Sequence, residues 1–237
     1  MANEIDNSEA IRKLMHFECA GDVYFVEIMQ RGKDIGDRDH VIKDYHIHSI
    51  EHLDKVMPEI RELCRRYNAR AMIRLNQRNT YDANIMTQIE MLAGQLTANK
   101  VFRKMVRTGK TNITMPSVRS ASNLYASALG KCVTEASDAR KWIIDLDPDM
   151  VNSVTTTGVT LGSSLSEIAD TFSQYIMNFC SQKGSEPREL CRLRSRNGIH
   201  MVTTTFRKDV FVSKFGKPAN QHEFVMTDAN TNLYIPD

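Results

Sequence analysis

The dipeptide Asn197-Gly198 stands between two alternating segments, residues 190–195 and 199–205. That pattern is the strongest local constraint in the chain. Asn and Gly both tolerate positive φ, so the sequence predicts a β-hairpin closed by a type I′ turn. Upstream, Lys141 to Asp147 (KWIIDLD) reads as a buried strand stopped by Pro148. Ser164-Leu-Ser-Glu167 fits a capping box that opens a helix with Leu165, Ile168, Ala169, Phe172, Ile176 and Phe179 as its stripe. The stretch between, VTTTGVTLGSS, is Thr/Ser/Gly-rich and reads as a mobile loop. A short helix over 209–215 and a strand near Glu223 to Met226 complete the order β–α–β–turn–β–α–β. Layered this way, the second half forms an RRM-like, palm-like antiparallel sheet.

The first half reads as a separate αβ unit. Val23–Met29 and Val41–His48 are expected strands joined by the polar loop RGKDIGDRD. Leu53, Val56, Met57, Ile60, Leu63, Cys64 and Tyr67 mark one helix face, with Pro58 kinking or starting its main part. Residues 69–76 alternate, with Ala71, Ile73 and Leu75 on one side and Arg70, Met72, Arg74 and Asn76 on the other. A helix over 82–107 is expected to bury Ile85, Ile89, Leu92 and Leu96, and a second covers 120–129 and ends at Gly130. The expected fold class is α+β, with an N-terminal αβ unit (1–135) packed on the palm-like domain (136–237).

Composition narrows the function classes. The net charge of +2 on 237 residues leaves any nucleic-acid surface to local clustering. No apolar run is long enough for a membrane span, and the polar, acidic start MANEIDNSEA is unlike a signal peptide. Five scattered cysteines without a Cys-x-x-Cys pair argue for reduced thiols in a cytoplasmic protein.

The chemistry-bearing pattern is Asp145-Leu-Asp147. Residues two apart on a strand share a face about 6–7 Å apart. A carboxylate pair at that spacing suits Mg²⁺ or Mn²⁺ in phosphoryl transfer. His200, just past the turn, has Ser195 and Arg196 nearby and could hold a triphosphate. Asp-hydrophobic-Asp on a hydrophobic strand (143–148), followed after a helix by Gly198-Ile-His200, resembles the archaeo-eukaryotic primase (primase-polymerase) superfamily, such as a stand-alone phage or bacterial member. The resemblance covers about 141–237 and implies a nucleotidyltransferase acting on a single-stranded nucleic-acid template with nucleoside triphosphates, alongside replication proteins. It further implies Asp145, Asp147 and Asp228 as catalytic metal ligands, and His200, Arg196, Ser195 and Arg194 on the nucleotide. Thr227 stands where the family carries an apolar residue before its third Asp, so Glu223 and Asp209 are substitutes for Asp228. Arg70, Arg74 and Arg192 are expected on nucleic acid, and Arg103, Lys104, Arg107 and Lys110 form a further basic run. Two rival readings remain. His46-Ile-His48 is similar to the metal motif of relaxase and Rep-like nucleases, though no Tyr-x-x-Lys accompanies it. An RRM-like module that binds nucleic acid or protein without catalysis is the other.

Overall fold

The computed structural model describes residues 4–32, 36, 38–109, 121–134, 140–182, 186–216, 224–228 and 230–237. Among these the protein is α+β with antiparallel sheets. The chain divides into two compact units, one of residues 1–17, 24–77 and 135–237 and another of 18–23 and 78–134. Most of residues 1–77 belongs to the same unit as residues 135–237.

The larger unit holds two sheets. In the first, β1 (Ile5–Asp6), β10 (Asn230–Ile235), β4 (Arg70–Arg74), β2 (Asp22–Gln30) and β3 (His40–Ile47) lie side by side in that order. Helix α1 is Ser8–Arg12, and helix α2 (Ile50–Tyr67) covers the sheet with Leu53, Met57, Ile60 and Cys64. Ser49 caps the start of α2 by accepting from the His52 amide, and Asn68 ends it at φ 46°. In the second sheet the order is β7 (Glu189–Arg194), β8 (Ile199–Thr204), β6 (Lys141–Leu146) and β9 (Val225–Met226). One face of that sheet sends Ile143, Leu193 and Val202 into the core shared with β2, β4 and α2. Its other face sends Ile144, Leu146 and Met201 toward α5 (Leu165–Phe179) and α6 (Lys208–Phe215).

Two buried asparagines join the sheets. Asn7 Nδ2 donates to the carbonyls of Arg194 and Asn232, both at 2.8 Å. Asn76 Nδ2 donates to the Lys141 carbonyl at 3.1 Å while its Oδ1 accepts from the Lys141 amide at 2.7 Å. Unpaired, such buried main-chain groups would be costly.

The smaller unit pairs β5 (Arg78–Asn79) with the start of β2, and adds α3 (Thr80–Thr108) and α4 (Ala121–Lys131). Asn79 caps α3 by accepting from the Tyr81 and Asp82 amides.

Several sequence expectations need correction. The α3 stripe is not buried: Ile85, Ile89, Leu92 and Leu96 are 53–62% exposed, and the buried positions are Ala83 and Thr87. Periodicity locates an apolar face but says nothing of what covers it. Helix α4 does not stop at Gly130, which lacks a left-handed φ, but runs on to Lys131. The VTTTGVTLGSS stretch holds a closed turn, with a Val154–Thr160 bridge and the Gly158 amide donating to the Thr155 carbonyl. Half of the capping box is present: Ser164 Oγ accepts from the Glu167 amide, but the Glu167 carboxylate turns to Ser163. The hairpin forms, but its loop spans Ser195–Gly198 and neither Asn197 nor Gly198 has positive φ. Glycine is needed there for another reason. A Cβ on Gly198 would lie 1.9 Å from the Leu146 carbonyl oxygen, so the hairpin tip presses directly on the end of β6. Glu223, Ser120 and Lys110 lie outside the described residues.

Candidate functional site

The register of the second sheet builds the site. Asp145 on β6 and His200 on β8 are directly paired residues, so their side chains leave the same face. His200 Nε2 stands 3.3 Å from Asp145 Oδ1, and His200 Nδ1 lies 2.8 Å from Thr231 Oγ1 on β10. Thr231 is fully buried and His200 is 7% exposed, so the imidazole is clamped between a carboxylate of one sheet and a hydroxyl of the other. The clamp fixes the ring's orientation and sets which nitrogen carries its proton.

Beyond β6, Asp147 is exposed and precedes a 3₁₀ turn, Pro148–Met150. Asp145, Asp147 and His200 all line one polar cavity of about 430 Å³. The hairpin tip adds Ser195, Arg196 and Asn197. The Ser195 amide donates to the Gly198 carbonyl, and Ser195 Oγ accepts from the Gly198 amide, which shapes the tip. The opposite wall comes from the first sheet: Arg70 and Met72 on β4, Asn230 and Asn232 on β10, and Arg31 after β2. Three arginines line the cavity with the two aspartates, Arg31 also standing 3.7 Å from Asp39, and guanidinium groups beside carboxylates suit an anionic ligand that brings a cation.

The structure therefore brings together Asp145, Asp147, His200, Ser195, Arg196 and Arg70 from the expected set. It does not bring in the others. Asp228 accepts from Asn76 Nδ2 at 3.3 Å and faces Arg74 at 3.8 Å, and neither Asp228 nor Arg74 lines the cavity. Asp209 pairs with Arg207 at 2.7 Å on α6. Arg192 stands across from Met201, on the helix side of the sheet, where it bonds Glu189 and Asp170, each at 2.6 Å. Arg194 stands across from Ile199, likewise off the His200 face. Strand parity explains both: Arg192 and Arg194 alternate with Leu193, and Leu193 is the residue opposite His200.

Sequence reasoning missed Arg31, Asn230 and Asn232. They enter from a different sheet, and only the pairing of β10 with β4 shows that Asn232 stands beside Met72. No motif spacing carries that information.

Among the described residues no group of three His, Cys, Asp or Glu side chains is gathered to hold a metal ion. The donors present still fit one hard cation, since Mg²⁺ is commonly held by one or two carboxylates with water and substrate phosphates filling its remaining positions. The His46–His48 pair has other neighbours: His46 packs 5.3 Å from the Phe25 ring, and His48 stacks on His52 at 5.6 Å. Burial lowers the pKa of both. Burial also pushes the Cys64 thiol up to about 12 and those of Cys180 and Cys191 to about 11, which removes them as nucleophiles at neutral pH. No described helix is long and apolar enough to cross a membrane.

No family model matches the chain, and no curated protein or solved structure matches it significantly.

Proposed function

We propose that the polar cavity binds the phosphates of a nucleoside triphosphate, and that the protein is a metal-dependent nucleotidyltransferase of primase-polymerase type acting on a nucleic-acid template. One observation carries the reading: Asp145, Asp147 and His200 open into the same cavity as Arg31, Arg70 and Arg196. The strand order β7-β8-β6-β9, built from a β–α–β–β–α–β chain order, supports the palm-like part, because a split βαβ sheet has that arrangement. Asp145 sits at the end of a central strand of that sheet, where a carboxylate can reach the ligand without being buried.

Asp145 and Asp147 are the residues that would hold Mg²⁺ or Mn²⁺, which when bound neutralises phosphoryl charge. His200 holds Asp145 in place from behind. Arg31, Arg70 and Arg196 grip the phosphates and take up the charge that develops on the leaving pyrophosphate. With Asp228 committed to Asn76 and Arg74, the reading uses two carboxylates rather than three.

Primer extension with Mn²⁺, run beside calorimetric titration of metal and triphosphate, tests it. Asp147→Asn should lower extension by at least about 100-fold with folding intact. Extension by the variant at the wild-type rate would remove the carboxylate from the chemistry. Among the described residues Asp145 and Asp147 have no third carboxylate beside them, and a palm-like module that binds nucleotides without turnover is the second reading. Tight triphosphate binding with no extension on any template would select it.

A further inference from the structure

Helix α3 packs α4 against one side, where Ala83 and Thr87 are buried. Its opposite side carries Tyr81, Ile85, Ile89, Leu92 and Leu96, all 53–62% exposed. At about 100° per residue the two sides lie roughly 180° apart. From Ile85 to Leu96 the steps are four, three and four residues, the spacing of a coiled-coil seam. Gln88 and Gln95, both exposed, edge that seam. The five side chains leave on the order of 600 Å² open, against the roughly 800 Å² per partner, a little over half of it apolar, of a standard interface. An apolar patch of that size marks an interaction site.

Charge selects the occupant. Ahead of the seam stands Asp82, and behind it Lys100, Arg103 and Arg107 fall on the same side of the helix. The stripe is therefore acidic at one end and basic at the other, which makes α3 complementary to a reversed copy of itself. Independently of the phosphate-site reading, we propose that two copies of this chain pair through α3, antiparallel, about a two-fold axis between Ile89 and Leu92. Under that axis Ile85 meets the partner's Leu96, and Ile89 meets the partner's Leu92. Asp82 comes opposite the partner's Asn99, within a turn of the partner's Lys100 and the partner's Arg103. Such an isologous contact closes at two copies. Parallel pairing would set the cations against one another and align the two helix dipoles, so both terms favour the reversed copy.

Sedimentation equilibrium on the full chain tests the pairing. The wild type should be a dimer at micromolar concentration. Leu92 is exposed in the single chain, so Leu92→Glu should leave the circular dichroism unchanged. It should still weaken the dimer at least about tenfold, because each copy forces a carboxylate into the seam. Asp82→Arg should weaken it less, and adding Arg103→Asp should restore it, since the exchange reverses both charges across the axis. A monomeric wild type overturns the proposal, as does a dimer that Leu92→Glu leaves intact. Failure of the double exchange to restore pairing refutes the antiparallel order. If the chain stays monomeric and cosediments with anionic phospholipid vesicles, and Leu92→Glu abolishes that, the stripe is a membrane-facing surface and the dimer is overturned.

Discussion

The two faces of the second sheet use alternate residues of the same strands and end up with opposite characters. Toward α5 and α6, Ile144, Leu146 and Met201 meet Phe172, Phe206, Phe211 and Phe215, whose rings pack 4.6–5.4 Å apart. Toward the first sheet, Ile143, Val202 and Leu193 fill one end of the interface, and Asp145 and His200 occupy the other. The aromatic face closes because large rings interdigitate. The mixed face cannot close, since its charged groups need water or a ligand, and a cavity remains where they emerge. A strand that is apolar up to its last turn and then carries carboxylates thus makes a core and a site with the same residues' alternation.

Substitutions on each face separate these roles. Phe172→Ala should cost the most, about 3–5 kcal/mol in chemical denaturation, and leave triphosphate affinity of the folded fraction unchanged. A change in affinity would show that the aromatic face shapes the cavity. Gly198→Ala comes next: its methyl group has nowhere to go beside the Leu146 carbonyl, so relief requires moving the hairpin tip, at about 1–3 kcal/mol. Because Ser195, Arg196 and Asn197 move with the tip, this variant alone should lose both stability and ligand affinity. Arg192→Ala should cost only about 0.2–1 kcal/mol, the range for partly exposed ion pairs, and leave binding intact. Lost binding would return Arg192 to the site despite its parity.

The smallest effect lies off both faces. Burial raises the Asp6 carboxyl pKa, but bonds from Ser8 and Arg61 outweigh it and hold the group below its ordinary value. A depressed carboxyl stabilises the fold above its unfolded pKa, near 4, and loses that contribution as pH falls through the lower folded value. The stability gap between wild type and Asp6→Asn should therefore be widest at neutral pH and vanish in acid. A gap independent of pH would mean that size, not charge, matters at this position.

How much of this was legible from sequence follows from the range of each signal. The hairpin and the Asp145–Asp147 strand rest on local alternation, which sequence carries well, whereas the meeting of Asp145 with His200 rests on the pairing of β6 with β8, which the motif order of the resemblance anticipates and alternation alone does not. The turn type was misread because the reason for Gly198 is a contact with Leu146, more than fifty residues away. Arg31, Asn230 and Asn232 were invisible because their place depends on strand pairing across the whole chain. The α3 stripe shows the same limit. Leu53 and Ile60 on α2 and Ile85 and Leu92 on α3 have equally regular spacing, yet the first pair is fully buried and the second more than half exposed.

The position of β10 has a consequence for how the molecule is made. This strand follows every other described element in the chain but lies between β1 and β4 inside the first sheet. During synthesis the ribosome therefore delivers β1 and β4 long before the strand that joins them. Until then β4 presents an open hydrogen-bonding edge, and the threonine that will seat His200 has not been translated. A nascent chain in that state is a target for chaperones and for pairing with other copies. Closure over so long a sequence separation makes for slow folding, and the candidate site is completed only when that strand docks.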